Sequence, residues 1–122
     1  MNILEQIAAQ TRERIEAEKR QTPMEELIRQ IEATEQKKTK QSFYEALKKP
    51  GMSYICEVKK ASPSKGLIAS DFPYLDIARE YEAAGASAIS CLTEPFRFLG
   101  KDTYLQEIAA QVEIPVLRKD FT

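Results

Sequence analysis

The stretch Glu57-Val58-Lys59-Lys60-Ala61-Ser62-Pro63-Ser64-Lys65-Gly66 concentrates more potential chemistry than any other part of the chain. It continues an apolar run, Tyr54-Ile55-Cys56, that reads as the start of a strand. Side chains alternate along a strand, so Glu57 and Lys59 share one face. Opposite charges on a covered sheet face are costly unless they pair with each other or act on a ligand. The Ser, Pro, Ser and Gly that follow end the strand and offer hydroxyls and free backbone N–H groups. Charged groups at a strand end, followed by a polar turn, are how α/β enzymes present reactive groups at the carboxyl edge of a sheet.

The elements that must position these groups follow from the rhythm of the sequence. A strand over about 54–59 is followed by a long loop and a helix over about 73–84, with Pro73 in its first turn and Gly85 ending it. Ser87-Ala88-Ile89-Ser90-Cys91-Leu92 is a second strand, of residues suited to burial on both faces. A loop rich in aromatics, Thr93 to Lys101, leads to a helix over about 103–111 that Asp102 can cap. Ile114-Pro115-Val116-Leu117-Arg118 is a third strand, running into Lys119-Asp120-Phe121-Thr122. Successive strands recur every about 27–33 residues, the length of a βαβ unit, so the default is parallel pairing with right-handed crossovers. All three strand-to-helix junctions then lie on one sheet edge, with Lys59, Ser62, Ser64, Glu94, Phe98, Lys119 and Phe121. The opposite junctions, Gly85-Ala86 and Gln111 to Glu113, carry little that could react. This asymmetry argues for an enzyme.

The first part of the chain is helical. Residues 2–20 carry Ile3, Leu4, Ile7, Ala8, Thr11 and Ile15 at helical spacing, with Asn2 and Glu5 placed as a capping box. Thr22-Pro23-Met24-Glu25 reads as a second start, with Thr22 as cap and an apolar stripe of Met24, Leu27, Ile28 and Ile31. Glu35 to Gln41 is a polar linker, and Ser42-Phe43-Tyr44-Glu45 opens a short helix that Pro50-Gly51 stops. The expected division is a helical extension over 1–50 and a strand-bearing region over 51–122.

Composition narrows the function. With 18 basic against 19 acidic residues among 122, the net charge is −1. That balance argues against general affinity for nucleic acid or an anionic membrane surface. No apolar run approaches the ~20 residues that span a bilayer. Met1-Asn2-Ile3-Leu4-Glu5 lacks the pattern of a secretory signal. Cys56 and Cys91 both sit in apolar runs and read as buried free thiols of a reducing compartment. With no histidine and no clustered cysteine, a metal site is not expected. Together these features point to the cytoplasm.

Four blocks resemble the indole-3-glycerol phosphate synthases, in the same order and at similar spacing. They are Glu57 to Gly66; Tyr81-Glu82-Ala83-Ala84-Gly85-Ala86; Leu92-Thr93-Glu94-Pro95 with Phe98 and Gly100; and Ile114-Pro115-Val116-Leu117-Arg118-Lys119-Asp120-Phe121. The helical start is similar to the extension that precedes the barrel in that family. The resemblance implies an α/β fold, the N-terminal part of a (β/α)8 TIM barrel, whose whole is roughly 250 residues. Only about three of its strands have counterparts here. The later strands, which carry the family's catalytic glutamate and most phosphate-binding loops, have none in these 122 residues. Thr122 departs from the aliphatic residue usual after Lys-Asp-Phe.

The implied reaction is closure of the pyrrole ring of a phosphorylated anilino-ribulose with loss of carbon dioxide and water, without metal or organic cofactor. The resemblance makes Lys119 the general acid, Lys59 the binder of the substrate's negative groups, and Glu57 the group that positions the lysines. It makes Ser62 a partner of the substrate carboxylate, beside Pro63, and Phe98 and Phe121 the apolar walls for the aromatic ring. Glu94 and Arg97 receive no role. Each residue also has a plainer reading: a strand-end lysine in solvent, a Glu57–Lys59 salt bridge, turn serines, core aromatics. A phosphoribosyl isomerase barrel is disfavoured because such relatives lack the Lys59 to Ser64 block. As it stands, the chain is expected to be inactive alone and to self-associate or to pair with the C-terminal half of the barrel.

Overall fold

Capping and periodicity set the first helices. In a computed structural model describing residues 1–34 and 41–122, the chain divides into two compact units: Met1–Lys38 with Phe121–Thr122, and Thr39–Asp120. The expected linker lies outside the described residues except for Gln41. In the first unit, α1 (Ile3–Gln21) begins with the expected capping box. Asn2 accepts the Glu5 N–H at 2.8 Å, and the Glu5 carboxylate accepts the Asn2 N–H at 2.9 Å. Ile7 and Thr11 form its buried face.

The second helix, α2 (Met24–Ala33), starts differently from the expectation. Its N-cap is Pro23, without a side-chain cap bond, whereas Thr22 closes α1 by donating its N–H to the Glu18 carbonyl. Both helix ends meet within two residues, so Thr22 serves the last turn of α1. Proline, having no N–H, leaves no orphan donor at the new start. The stripe of Met24, Leu27, Ile28 and Ile31 is present and exposed.

The second unit opens with α3 (Phe43–Lys48), where Ser42 Oγ accepts the Glu45 N–H at 3.1 Å. Strand β1 (Ile55–Val58) leads into a β-hairpin of β2 (Ala61–Ser62) and β3 (Gly66–Leu67) where a plain loop was expected. Next come α4 (Tyr74–Ala83), β4 (Ala88–Leu92), α5 (Asp102–Gln111) and β5 (Val116–Lys119). Gly85, at φ +98°, ends α4 in a conformation that side chains disfavour. Asp102 is not the cap of α5: Lys101 occupies that position, and Asp102 lies in the first turn, where its carboxylate pairs with Arg118 at 2.9 Å.

The main sheet has the order β1-β4-β5 with both pairings parallel, as the βαβ spacing predicts. β4 lies in the middle, and all five of its residues are buried. Its outer neighbours pair on one side each, Cys56 with Ile89 and Ile89 with Val116 on the helix-covered face. There Val58, Ile89 and Cys91 pack with Ala78 of α4 and Tyr104, Ile108 and Val112 of the α5 region. Each fully buried aliphatic side chain contributes about 1.5–3 kcal/mol. Rings of Phe72, Tyr74 and Tyr104 seal one end, with Tyr74 and Tyr104 centroids 4.3 Å apart.

Candidate active site

The opposite sheet face gathers the charges. Glu57 pairs in register with Ser90, and Ser90 with Leu117, so these three side chains share that face. Lys119 is two residues beyond Leu117 and points the same way. In the middle strand, Ser90 stands in register with Glu57, and Leu92, on the same face, with Lys119. Across this strand, Lys119 Nζ reaches Glu57 Oε1 at 2.8 Å. Lys59 Nζ lies 3.3 Å from Glu57 Oε2. One carboxylate therefore bridges two ammonium groups, one oxygen to each. The Glu57 side chain is 26% exposed and that of Lys119 54%, so the bridge is half sheltered and Lys119 remains open to a ligand.

The electrostatics follow from this arrangement. Partial burial pushes the Glu57 carboxyl up, but the hydrogen bonds from Lys119 and Lys59, with their charges, outweigh it. The net result is a carboxyl held below its ordinary range. The Glu57 backbone is fixed from α4: Tyr81 donates its hydroxyl to the Glu57 carbonyl at 2.9 Å. Burial, together with the charges of Cys56 and Glu57, raises the Tyr81 phenol, which keeps it a donor.

Lys119 is anchored by β4. Thr93 donates its N–H to the Lys119 carbonyl at 3.0 Å and its hydroxyl to Asp120 Oδ2 at 2.7 Å. The Asp120 side chain is 3% exposed, and Arg118 stands 3.7 Å from it. Tyr81 and Thr93 lie in the blocks that carry the resemblance but receive no role from the sequence, because each acts through a partner more than twenty positions away.

The remaining expected residues are more scattered. Ser62 is buried in the hairpin, where its Oγ accepts the Lys65 N–H at 3.1 Å and lies 3.5 Å from the Ser64 hydroxyl. Pro63 is exposed at the hairpin turn, and Phe98 is half-buried in the loop after β4. Phe121 belongs to the first unit, where it lines a cavity of about 420 Å³ with Leu4, Thr11 and Ile15. Glu94, without a role from sequence, is 1% exposed. Its carboxylate accepts the backbone N–H groups of Phe96, Arg97 and Phe98 at 2.8–2.9 Å. Burial pushes the Cys91 thiol up to about 11, against the opposing charge of Arg118, so it is a core residue and not a nucleophile. Among the described residues no three His, Cys, Asp or Glu side chains converge to hold a metal ion, and no helix is long and apolar enough to cross a membrane.

The fold is of the α/β class, with parallel strands, crossover helices and a lysine–carboxylate–lysine cluster near the strands' carboxyl ends. The family model for indole-3-glycerol phosphate synthase matches residues 4–122. The chain is 51% identical over 120 residues to the indole-3-glycerol phosphate synthase of Ruminiclostridium cellulolyticum, covering 98% of this chain and 46% of the relative. It is 56% identical over 119 residues to that of Endomicrobium trichonymphae, with the same coverage. That of Lachnoclostridium phytofermentans is 50% identical over 131 residues, covering 98% of this chain and 48% of the relative. The chain belongs to the indole-3-glycerol phosphate synthase family, and its three parallel strands are the N-terminal part of that TIM barrel. It spans about half the length of the curated relatives it matches.

Proposed function

We propose that this chain supplies the acid-bearing part of an indole-3-glycerol phosphate synthase active site. The observation that carries the reading is the bridge Lys59–Glu57–Lys119 across three strands. In the reaction, an aromatic ring carbon attacks the carbonyl of 1-(2-carboxyphenylamino)-1-deoxyribulose 5-phosphate. The carbonyl oxygen gains charge and takes a proton as the ring closes; carbon dioxide and then water leave. Lys119, more open than its partner and hydrogen-bonded to Glu57, is the general acid. Lys59 binds the substrate's negative groups, and Glu57 holds both ammonium groups in place. Family resemblance, rather than any distance, carries Ser62 and Pro63 as carboxylate-side contacts and Phe98 and Phe121 as walls for the anthranilate ring. The same resemblance carries the absence of a metal or organic cofactor and a place in tryptophan biosynthesis in the cytoplasm. The net charge of −1 argues against nucleic acid or an anionic membrane as partner, and the two lysines on Glu57 suit a small anionic substrate.

The 122 residues alone do not turn over in this reading, since the family's catalytic glutamate has no counterpart among them. A second reading, a non-catalytic half-barrel module, is favoured by one feature: among the described residues β1 and β5 each pair on one side only, with Leu117 on β5 exposed. Such edges invite pairing with another copy or with the C-terminal half. Both readings are tested by adding the substrate to the chain alone, and to the chain mixed with the unmatched remainder of the Ruminiclostridium cellulolyticum relative. Indole-product fluorescence is expected in the mixture and not in the chain alone. Product from the chain alone would overturn the proposal that it is incomplete; no product from a folded complex of the two would overturn the catalytic reading.

A further inference from the structure

We infer that Glu94 is a positioning residue that sets the place of Phe98 through the backbone. The segment from Glu94 to Gly100 is closed on itself: the Gly100 N–H donates to the Glu94 carbonyl at 2.8 Å, and Leu99 sits at φ +52°. Within this ring the Glu94 side chain turns inward. Oε1 accepts the Phe96 N–H at 2.9 Å, and Oε2 accepts those of Arg97 and Phe98 at 2.8 Å each. The loop has no ladder to satisfy these donors, so the buried carboxylate does the work that a strand or helix would otherwise do. With both oxygens committed to backbone donors and the residue 1% exposed, Glu94 holds the loop and does not meet a substrate.

The consequence reaches the site through one residue. The Phe98 N–H is the last of the three donors, so its backbone position, and with it the base of its ring, depends on Oε2 of Glu94. This deepens the proposed function and rests on it for the role of Phe98 as a wall of the aromatic subsite. Glutamine at position 94 keeps the size but presents an NH2 group to one or two of the donors, so the loop loses part of its clasp while β4 keeps its ladder.

The test uses Glu94→Gln, with Glu94→Ala as the harsher variant. Amide exchange in the 122-residue chain is expected to quicken about tenfold at Phe96, Arg97 and Phe98 in E94Q, with Ile89 and Thr93 unchanged. In the two-piece enzyme, KM for the anilino-ribulose phosphate is expected to rise about tenfold with kcat within about twofold. Unchanged exchange at the three amides would overturn the clasp. Loss of protection at Ile89 as well would make Glu94 a general stability residue and overturn the positioning role, as would a fall in kcat with KM unmoved. If the wild-type two-piece enzyme makes no product, the proposed function fails, while the exchange rates still decide the clasp.

Discussion

Glu57 is the residue on which the site turns, because its single carboxylate organises two lysines from different strands. Its lowered pKa has a consequence for stability. A carboxyl held lower in the folded chain than in the unfolded one stabilises the fold above its ordinary value of 4.5 and loses that contribution as pH falls through the folded value. The stability difference between wild type and Glu57→Gln, followed by urea denaturation, is therefore expected to be full near neutral pH and to close below about pH 4.5; a gap constant down to pH 3 would contradict it. Thr93 supports the other end of the bridge. Thr93→Val removes the hydroxyl donor to the sheltered Asp120 carboxylate and is expected to cost about 1–3 kcal/mol, read as a lower urea midpoint at unchanged slope. Alternation along β1 made the Glu57–Lys59 pairing legible from sequence. The Glu57–Lys119 contact, 62 positions apart, had no local signal: it depends on strand order and register, and entered the sequence reading through the resemblance.

At the scale of elements, the loop leaving β4 is held by the Glu94 carboxylate and by close backbone packing at Gly100. A Cβ on Gly100 would stand 2.3 Å from the Leu92 carbonyl oxygen and 2.7 Å from the Thr93 backbone. No flexible side chain is there to give way, so β4 itself would have to move. Gly100→Ala is expected to destabilise the chain by about 1–3 kcal/mol and to lower its melting temperature, whereas an unchanged melting curve would show that the loop yields freely. The three parallel strands and their helices were legible because apolar runs, Pro73, Gly85 and the βαβ spacing agree with one another. The β2–β3 hairpin was not, since two-residue strands have no periodicity to detect. Thr22 and Asp102 were misread as caps for a common reason: residue type marks a helix start, but the preceding turn or an ion partner can claim the same side chain or backbone.

At the scale of the molecule, the two units differ in what they leave exposed. The first presents the apolar stripe of α2, and the second presents the one-sided strands β1 and β5. The chain spans about half the length of the curated relatives it matches. In the proposed function, the bridge at the carboxyl ends of the strands is the acid half of a ring-closing site. Product formation is measured by indole fluorescence in the two-piece enzyme built with wild-type chain and with Lys119→Ala. Product is expected from the wild type, with a loss of at least about a hundredfold in kcat for the variant, the scale of a general acid's contribution. Equal rates from the two would contradict this reading and leave Lys119 as a strand-end lysine paired with Glu57.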